Sequence, residues 1–140
     1  MKVYKSKISY ALLIFISLLF LSIIMVEVFN QDKQASNFIG TTILILTYIF
    51  ILYIFFSTKY IIDVGFLKIR SGILFKKDVK IQDIKSIYKT NSIMASPAAS
   101  FDRLEIKFDK FDSVVISPEN KVDFLNDLLE INPNIKSDVN

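Results

Sequence analysis

The chain opens on two long apolar runs, residues 8–29 and 38–58, separated by a short polar stretch at 30–37. Crossing a hydrocarbon core about 30 Å thick takes roughly 20 apolar residues, and each run has that length. The first run carries no charge before Glu27, and the second carries none. Backbone groups in lipid must pair within their own segment, so both runs predict helices that form a membrane hairpin. A helix of a soluble core would be expected to show a polar face, and neither run has one. Lys2, Lys5 and Lys7 precede the first run in the manner of a signal peptide. The apolar part is too long for that class, however, and no small-x-small cleavage site follows it, so the first run is expected to be retained.

From Lys59 the pattern changes to short alternating runs punctuated by Gly65 and Gly72, where tight turns are expected. Within residues 66–70, Leu67 and Ile69 fall on one side and Lys68 and Arg70 on the other, the mark of a half-buried strand. Residues 60–64, 73–75, 79–81 and 84–90 continue in short runs. The clearest strand is 103–109, with Leu104, Ile106 and Phe108 on one face. A turn at 110–112 and a partner strand at 113–117 complete a hairpin. Then the period lengthens. Ser117-Pro118-Glu119 reads as a helix start, with Val122, Leu125 and Leu129 along one face and Phe124, Leu128 and Ile131 beside them. Pro133 ends that helix. The expected architecture is a two-helix transmembrane hairpin (residues 1–58), a small mostly-β domain (59–133) of about six or seven antiparallel strands closed by a C-terminal helix, and a disordered tail (134–140).

Charge refines this picture. Of 17 basic and 14 acidic residues, 13 and 12 lie from Lys59 onward, so the domain is close to neutral. Nucleic acid, which wants a strongly basic face, is not an expected partner. The chain has no Cys and no His, which removes disulfides, thiol nucleophiles, imidazole bases and most transition-metal sites. No cofactor, metal or catalytic residue is expected. Lysine is rich before the first run and after the second and scarce in the loop between them, so both termini are expected in the cytoplasm. Tyr4, Tyr10 and Tyr60 would then lie near the inner interface, and Phe29 and Phe38 near the outer one.

Within the spans, Ser17, Ser22, Thr41, Thr42, Thr47, Tyr48 and Tyr53 are polar. These groups can bond back to their own helix or across to the other, with Gly40 allowing close approach. The sharper alternative is a binding face for a partner centred on Tyr48. Glu27 reads as an interfacial residue in reach of water. Lys76, Lys77, Lys80, Lys85 and Lys89 form either a solvated strand face, diluted by Asp78 and Asp83, or a surface for anionic headgroups.

Four stretches, Ile81-Gln-Asp-Ile-Lys-Ser-Ile87, Ser96-Pro-Ala-Ala-Ser-Phe-Asp-Arg-Leu-Glu-Ile106, Val115-Ile-Ser-Pro-Glu-Asn-Lys-Val-Asp-Phe124 and Leu129-Glu-Ile-Asn-Pro133, resemble a family of small bacterial membrane proteins. Its members carry a pleckstrin-homology-like domain behind two membrane helices. Within that family the chain is most similar to immunity proteins that protect a producer cell from its own sublancin-like glycosylated antimicrobial peptide. The resemblance implies a non-enzymatic, multi-pass membrane protein that intercepts such a peptide or shields its membrane target; a general adaptor for another membrane complex is the alternative. Ser96, Ser100, Asp102 and Arg103 lie in the most characteristic stretch. They form either a loop that sets up the following strand or a recognition loop for a protein or peptide partner. A catalytic role is excluded because nothing there can serve as base for a serine.

Overall fold

The structure, a computed structural model, describes residues 1–29, 35–91, 100–109 and 112–139, with the backbone alone for 35–38. In chain order the elements are β1 (Lys2–Lys5), α1 (Tyr10–Phe29), α2 (Ala35–Ser57), β2 (Thr58–Asp63), β3 (Phe66–Ser71), β4 (Phe75–Lys80), a single 3-10 turn (Ile81–Asp83), β5 (Ile84–Thr90), β6 (Arg103–Phe108), β7 (Asp112–Ile116), α3 (Lys121–Ile131) and β8 (Lys136–Asp138). The expected turns around residues 30–34 and 110–111 lie outside the described residues.

Among the described residues two helices are long and apolar enough to cross a membrane, Tyr10–Phe29 and Ile39–Ser57, and the protein buries neither. They touch through a few polar groups. Tyr48 Oη lies 2.7 Å from Ser17 Oγ, and its ring packs against Phe20 with centroids 5.2 Å apart. Thr41 Oγ1 donates to Glu27 Oε2 at 2.5 Å, so this carboxylate is held across the hairpin. Ser17 also donates to the Leu13 carbonyl, and Thr47 to that of Ile43.

Two four-stranded sheets, ordered β1-β2-β3-β4 and β7-β6-β5-β8, enclose one apolar core, the pleckstrin-homology-like sandwich with a C-terminal helix. The alternation in β3 and β6 puts Leu67, Ile69, Leu104, Ile106 and Phe108 inward as their spacing requires. In β5, Ile84 and Ile87 are both buried although three residues apart. A register shift between Ile84 and Ser86 inserts an extra residue and restores the inward face. Helix α3 covers the core with Phe124 and Leu128. The Phe124 ring meets Tyr4 edge-on at 5.2 Å and Tyr60 at 6.3 Å.

Several expectations need correction. Among the described residues eight strands form, because residues near both ends of the chain join the sheets. Lys2–Lys5, expected only as a basic flank, is β1, antiparallel to β2 from Lys2↔Ile62 to Lys5↔Lys59. Tyr4 is therefore packed against the core rather than at an interface, and Tyr60 is fully buried. Residues 136–138, expected to be disordered, form β8 parallel to β5. This strand is polar and held by its backbone, so composition hid it; buried Ile135 anchors it. Asn132 ties the same turn down by donating to the Ile81 carbonyl at 2.9 Å. Ile73 and Leu74 belong to a turn, not a strand, and Ile81 begins the 3-10 turn. Helix α3 starts at Lys121 with Asn120 as its cap, later than Ser117-Pro118 suggested. Residues 117–119 instead run extended along the N-terminal segment, with Pro118 bridging to Ser6. Starting the helix there turns Val122 out to solvent and centres burial on Phe124 and Leu128. Replacing Phe124 by Ala removes a fully buried ring that packs on Tyr4 and Tyr60 and is expected to cost about 3–5 kcal/mol. Denaturant unfolding of the detergent-solubilised protein measures it.

Candidate functional site at the foot of the hairpin

Helix α2 passes into β2 without a linker: Ser57 ends one and Thr58 begins the other. Thr58 Oγ1 donates to the Ile54 carbonyl at 2.9 Å, satisfying an acceptor that the helix end leaves open. The same hydroxyl is 2.8 Å from Ser71 Oγ on β3. On the other side of the hairpin Ser6 N donates to the Thr58 carbonyl at 3.2 Å and Lys7 N to that of Ser117 at 2.7 Å, while Glu119 N donates to Lys5 O at 3.0 Å. Both ends of the hairpin are thereby stitched to the domain.

A buried hydroxyl cluster lies at the centre of this seam. Tyr60 Oη donates to Ser6 Oγ at 3.2 Å and accepts from Ser117 N at 3.0 Å. Ser6 Oγ and Ser117 Oγ are 3.0 Å apart. Burial pushes the Tyr60 phenol up, against the opposing pull of the Ser117 and Ser6 hydrogen bonds, so it stays protonated. At the domain's outer corner Tyr4 Oη donates to Asp127 at 2.5 Å, and burial together with that carboxylate raises it to about 12.

Asp102 joins three parts of the chain. It pairs with Lys121 of α3 and, at 2.9 Å, with Lys7 at the foot of α1. The Lys121 hydrogen bond, then that of Lys7, holds its carboxyl below the usual range. The loop before it is shaped by its own polar groups: Asp102 N donates to Ser100 Oγ at 3.2 Å, and Arg103 Nε donates to the Ser100 carbonyl at 2.6 Å. The Arg103 guanidinium also stands 5.7 Å from the centre of the Phe101 ring. Beside this seam a cavity of about 680 Å³ opens between hairpin and domain, lined by Lys5, Lys7, Lys59, Tyr10, Phe55 and Phe56 among others. Three lysines and one acid, Glu119, line its domain side and apolar side chains its helix side, so it suits an amphipathic occupant.

Of the residues singled out in the sequence, the structure brings together Ser100, Asp102 and Arg103. Tyr48 stands apart, between α1 and α2, with its hydroxyl engaged by Ser17. Ser96 lies outside the described residues. Sequence reasoning missed Ser6, Lys7, Tyr60, Ser117 and Lys121. The alternation Tyr4–Ser6 was the one available signal for a strand at the start of the chain. Asp127 resembles Asp102: the Lys2 hydrogen bond, then that of Tyr4, holds its carboxyl below the usual carboxylate range.

Two outcomes follow from these contacts. Tyr60→Phe leaves the buried Ser117 N–H without its acceptor and is expected to cost about 1–3 kcal/mol in denaturant unfolding. Asp102 and Asp127 have folded values below the ordinary 3.8, so the stability they add is present above that value and is lost as pH falls through their lowered ones. Melting temperature should therefore fall as pH drops from about 5 to about 3, and less steeply in the double variant Asp102→Asn, Asp127→Asn. Some slope remains in that variant, because Lys68 and Arg70 lower Asp63 and Asp78 in the same direction.

Comparison with known proteins adds one match. The family model described as "Bacterial PH domain" matches residues 58–132. No curated protein and no solved structure matches the chain. The matched segment runs from the first residue of β2 to the residue that caps α3, over more than half of the sequence, and the chain belongs to the bacterial PH domain family.

Proposed function

We propose that this chain is a membrane-anchored binding protein with no catalytic role, whose α1 and α2 cross the bilayer as a hairpin with both ends in the cytoplasm. The pairing of β1 with β2 carries this reading. A strand before the hairpin and a strand after it share one ladder, so both belong on one side of the membrane, which two crossings provide. The unburied apolar surface of both helices supports lipid as their solvent, since soluble monomers rarely leave patches of that size in water. Lys2, Lys5 and Lys7 before the hairpin, with Lys59, Lys68 and Arg70 after it, favour the cytoplasmic side. Removal of the first helix as a signal peptide would take β1 from the sheet, which favours its retention. The folded unit on that side comprises residues 2–7 as well as the described residues from 58 onward.

The partner we favour is a secreted antimicrobial peptide of the sublancin kind, or its membrane target, with the chain acting as immunity protein. Support comes from the likeness of the chain as a whole to such proteins, and from the amphipathic cavity at the level where such a peptide meets the membrane. One observation favours a second reading, that of a general adaptor: the family match is confined to the domain and leaves out the hairpin. Expression in a strain killed by such a peptide distinguishes the two. An immunity protein confers survival while the peptide is recovered intact and unmodified by mass spectrometry. Unchanged killing, with the protein verified in the membrane, rejects immunity; copurification of a membrane complex is then the outcome the adaptor predicts.

A further inference from the structure

The outer face of the first sheet has a polarity that the immunity reading uses only in part, at Lys5 and Lys59, which also line the cavity. Lys5 pairs with Lys59, Lys59 with Arg70, and Arg70 with Lys76. Directly opposed residues in a ladder point to the same face, so these side chains form one cationic row across all four strands. The row lies at the end of the sheet where α2 runs into β2, with Lys59 two residues after Ser57. On the strands themselves acids lie farther out, where Arg70 reaches to Asp78 at 2.5 Å and Lys68 to Asp63 at 2.7 Å; Glu119 stands beside the row, its N–H on the Lys5 carbonyl. Like charges directly opposed destabilise a sheet in water, so a row of this kind calls for an anionic surface against it.

Beyond the row, toward the membrane, comes the turn between β3 and β4. Ile73 is 75% exposed and Leu74 68%. Outside the two spans they are the one consecutive pair of exposed large apolar residues among the described residues. Their depth is set by Gly72. A Cβ on Gly72 would stand 3.0 Å from Tyr53 Cε1 and 3.1 Å from Ser57 Oγ, so the turn abuts the last turn of α2. Gly72 also has φ of 55°, which glycine adopts without strain. The turn therefore reaches alongside the apolar helix itself. The turn at the opposite end of the same strands provides the contrast: Val64, 90% exposed, is about 20 Å away at roughly 3.3 Å per residue along β2.

We propose that this end of the first sheet is a third membrane contact, with Ile73 and Leu74 in the acyl–headgroup boundary and the row Lys5, Lys59, Arg70 and Lys76 on the headgroups of anionic phospholipids. The occupant is lipid because the face is continuous with the helix surface that lipid covers, and because its charge and its apolar tip stand in the order in which a leaflet presents phosphate and acyl chain. The proposal rests on α1 and α2 being spans. It differs from the dispersed lysine cluster of β4 and β5: Lys77, for example, faces the Phe108 ring at 4.7 Å instead.

The chain has no cysteine, so single cysteines report cleanly. Full-length protein in nanodiscs of mixed phosphatidylcholine and phosphatidylglycerol carries an environment-sensitive fluorophore at Leu74→Cys, Val64→Cys or Ile49→Cys. One lipid or the other is brominated, high on the acyl chain for the Leu74 and Val64 labels and near the chain end for the Ile49 label. Leu74→Cys should lose most of its emission, and more with brominated phosphatidylglycerol than with brominated phosphatidylcholine. Val64→Cys should be unaffected. The preference at Leu74 should vanish in the Lys59→Gln, Lys76→Gln background. Quenching at Ile49→Cys without quenching at Leu74→Cys overturns this inference alone, and so does equal quenching at Leu74 and Val64. A preference that survives the charge changes removes the anionic row. No quenching at Ile49→Cys instead overturns the reading of the helices as spans, and this inference with it.

Discussion

Everything at the base of this molecule depends on one ladder, the antiparallel pairing of β1 with β2. These strands are separated in sequence by the whole hairpin, from Ser6 to Ser57. Closing so long a loop from a flexible chain carries an entropic cost. Here α1 and α2 lie side by side and return the chain to its starting level, so the ends arrive already close. The pairing in turn fixes the geometry of the hairpin. Its two feet are held a strand spacing apart, about 5 Å, and α2 enters its strand with no intervening residue.

Around that ladder the polar groups at the helix feet are matched one to another. The seam has little apolar content, and what holds it is the mutual satisfaction of buried donors and acceptors: Ser6, Tyr60 and Ser117 in one cluster, Thr58 and Ser71 in another. Such groups are costly when unpaired and directional when paired, so they fix one alignment of hairpin and domain. Asp102 extends the link to α3 by bridging Lys7 and Lys121. The loop at Ser100–Asp102 is therefore joined through one carboxylate to the foot of α1. Anything that displaces that loop acts on the hairpin directly, without a flexible tether to absorb the displacement.

The parts legible in the sequence were those in which side-chain chemistry alone decides the structure. Continuous apolarity marked the two helices, and the strict alternation of Arg103–Phe108 marked β6. What escaped was backbone pairing by unremarkable residues. Lys2-Val3-Tyr4-Lys5 and Lys136-Ser137-Asp138 are short and polar, and each is a strand only because a neighbouring edge offers unpaired amides. Ser117-Pro118 carries a strong local signal for a helix start, but its backbone is taken by Lys5 and Lys7, and Asn120 caps the helix instead. Tyr60 shows the limit of reading residue types. A tyrosine beside a span suits an interface, yet this one has a buried set of hydroxyl partners and goes inside. Of the candidate residues, Asp102 and Arg103 could be placed at a strand start, but the lysines that meet Asp102 come from 95 residues before it and 19 after it.

The N-terminal strand also settles an electrostatic question that the rest of the sheet leaves open. Lys59, Arg70 and Lys76 already oppose one another across β2, β3 and β4, and adding β1 brings a fourth cation, Lys5, into the same row. A protein folding in water alone would gain from an acid at that position. Instead the acids stand one row farther from the membrane, at Asp78, and beyond it at Asp63. Farther along the strands the same face is mixed, with Lys68 opposite Asp78 and Lys80 at the level of Asp63, so the one row made of cations alone stands on the helix side and the sheet is matched to a boundary whose charge lies there. Placing β1 in the sheet and setting the sheet against an anionic leaflet are then one piece of physics: the strand that closes the hairpin completes the row, and the leaflet relieves the repulsion that its closure creates.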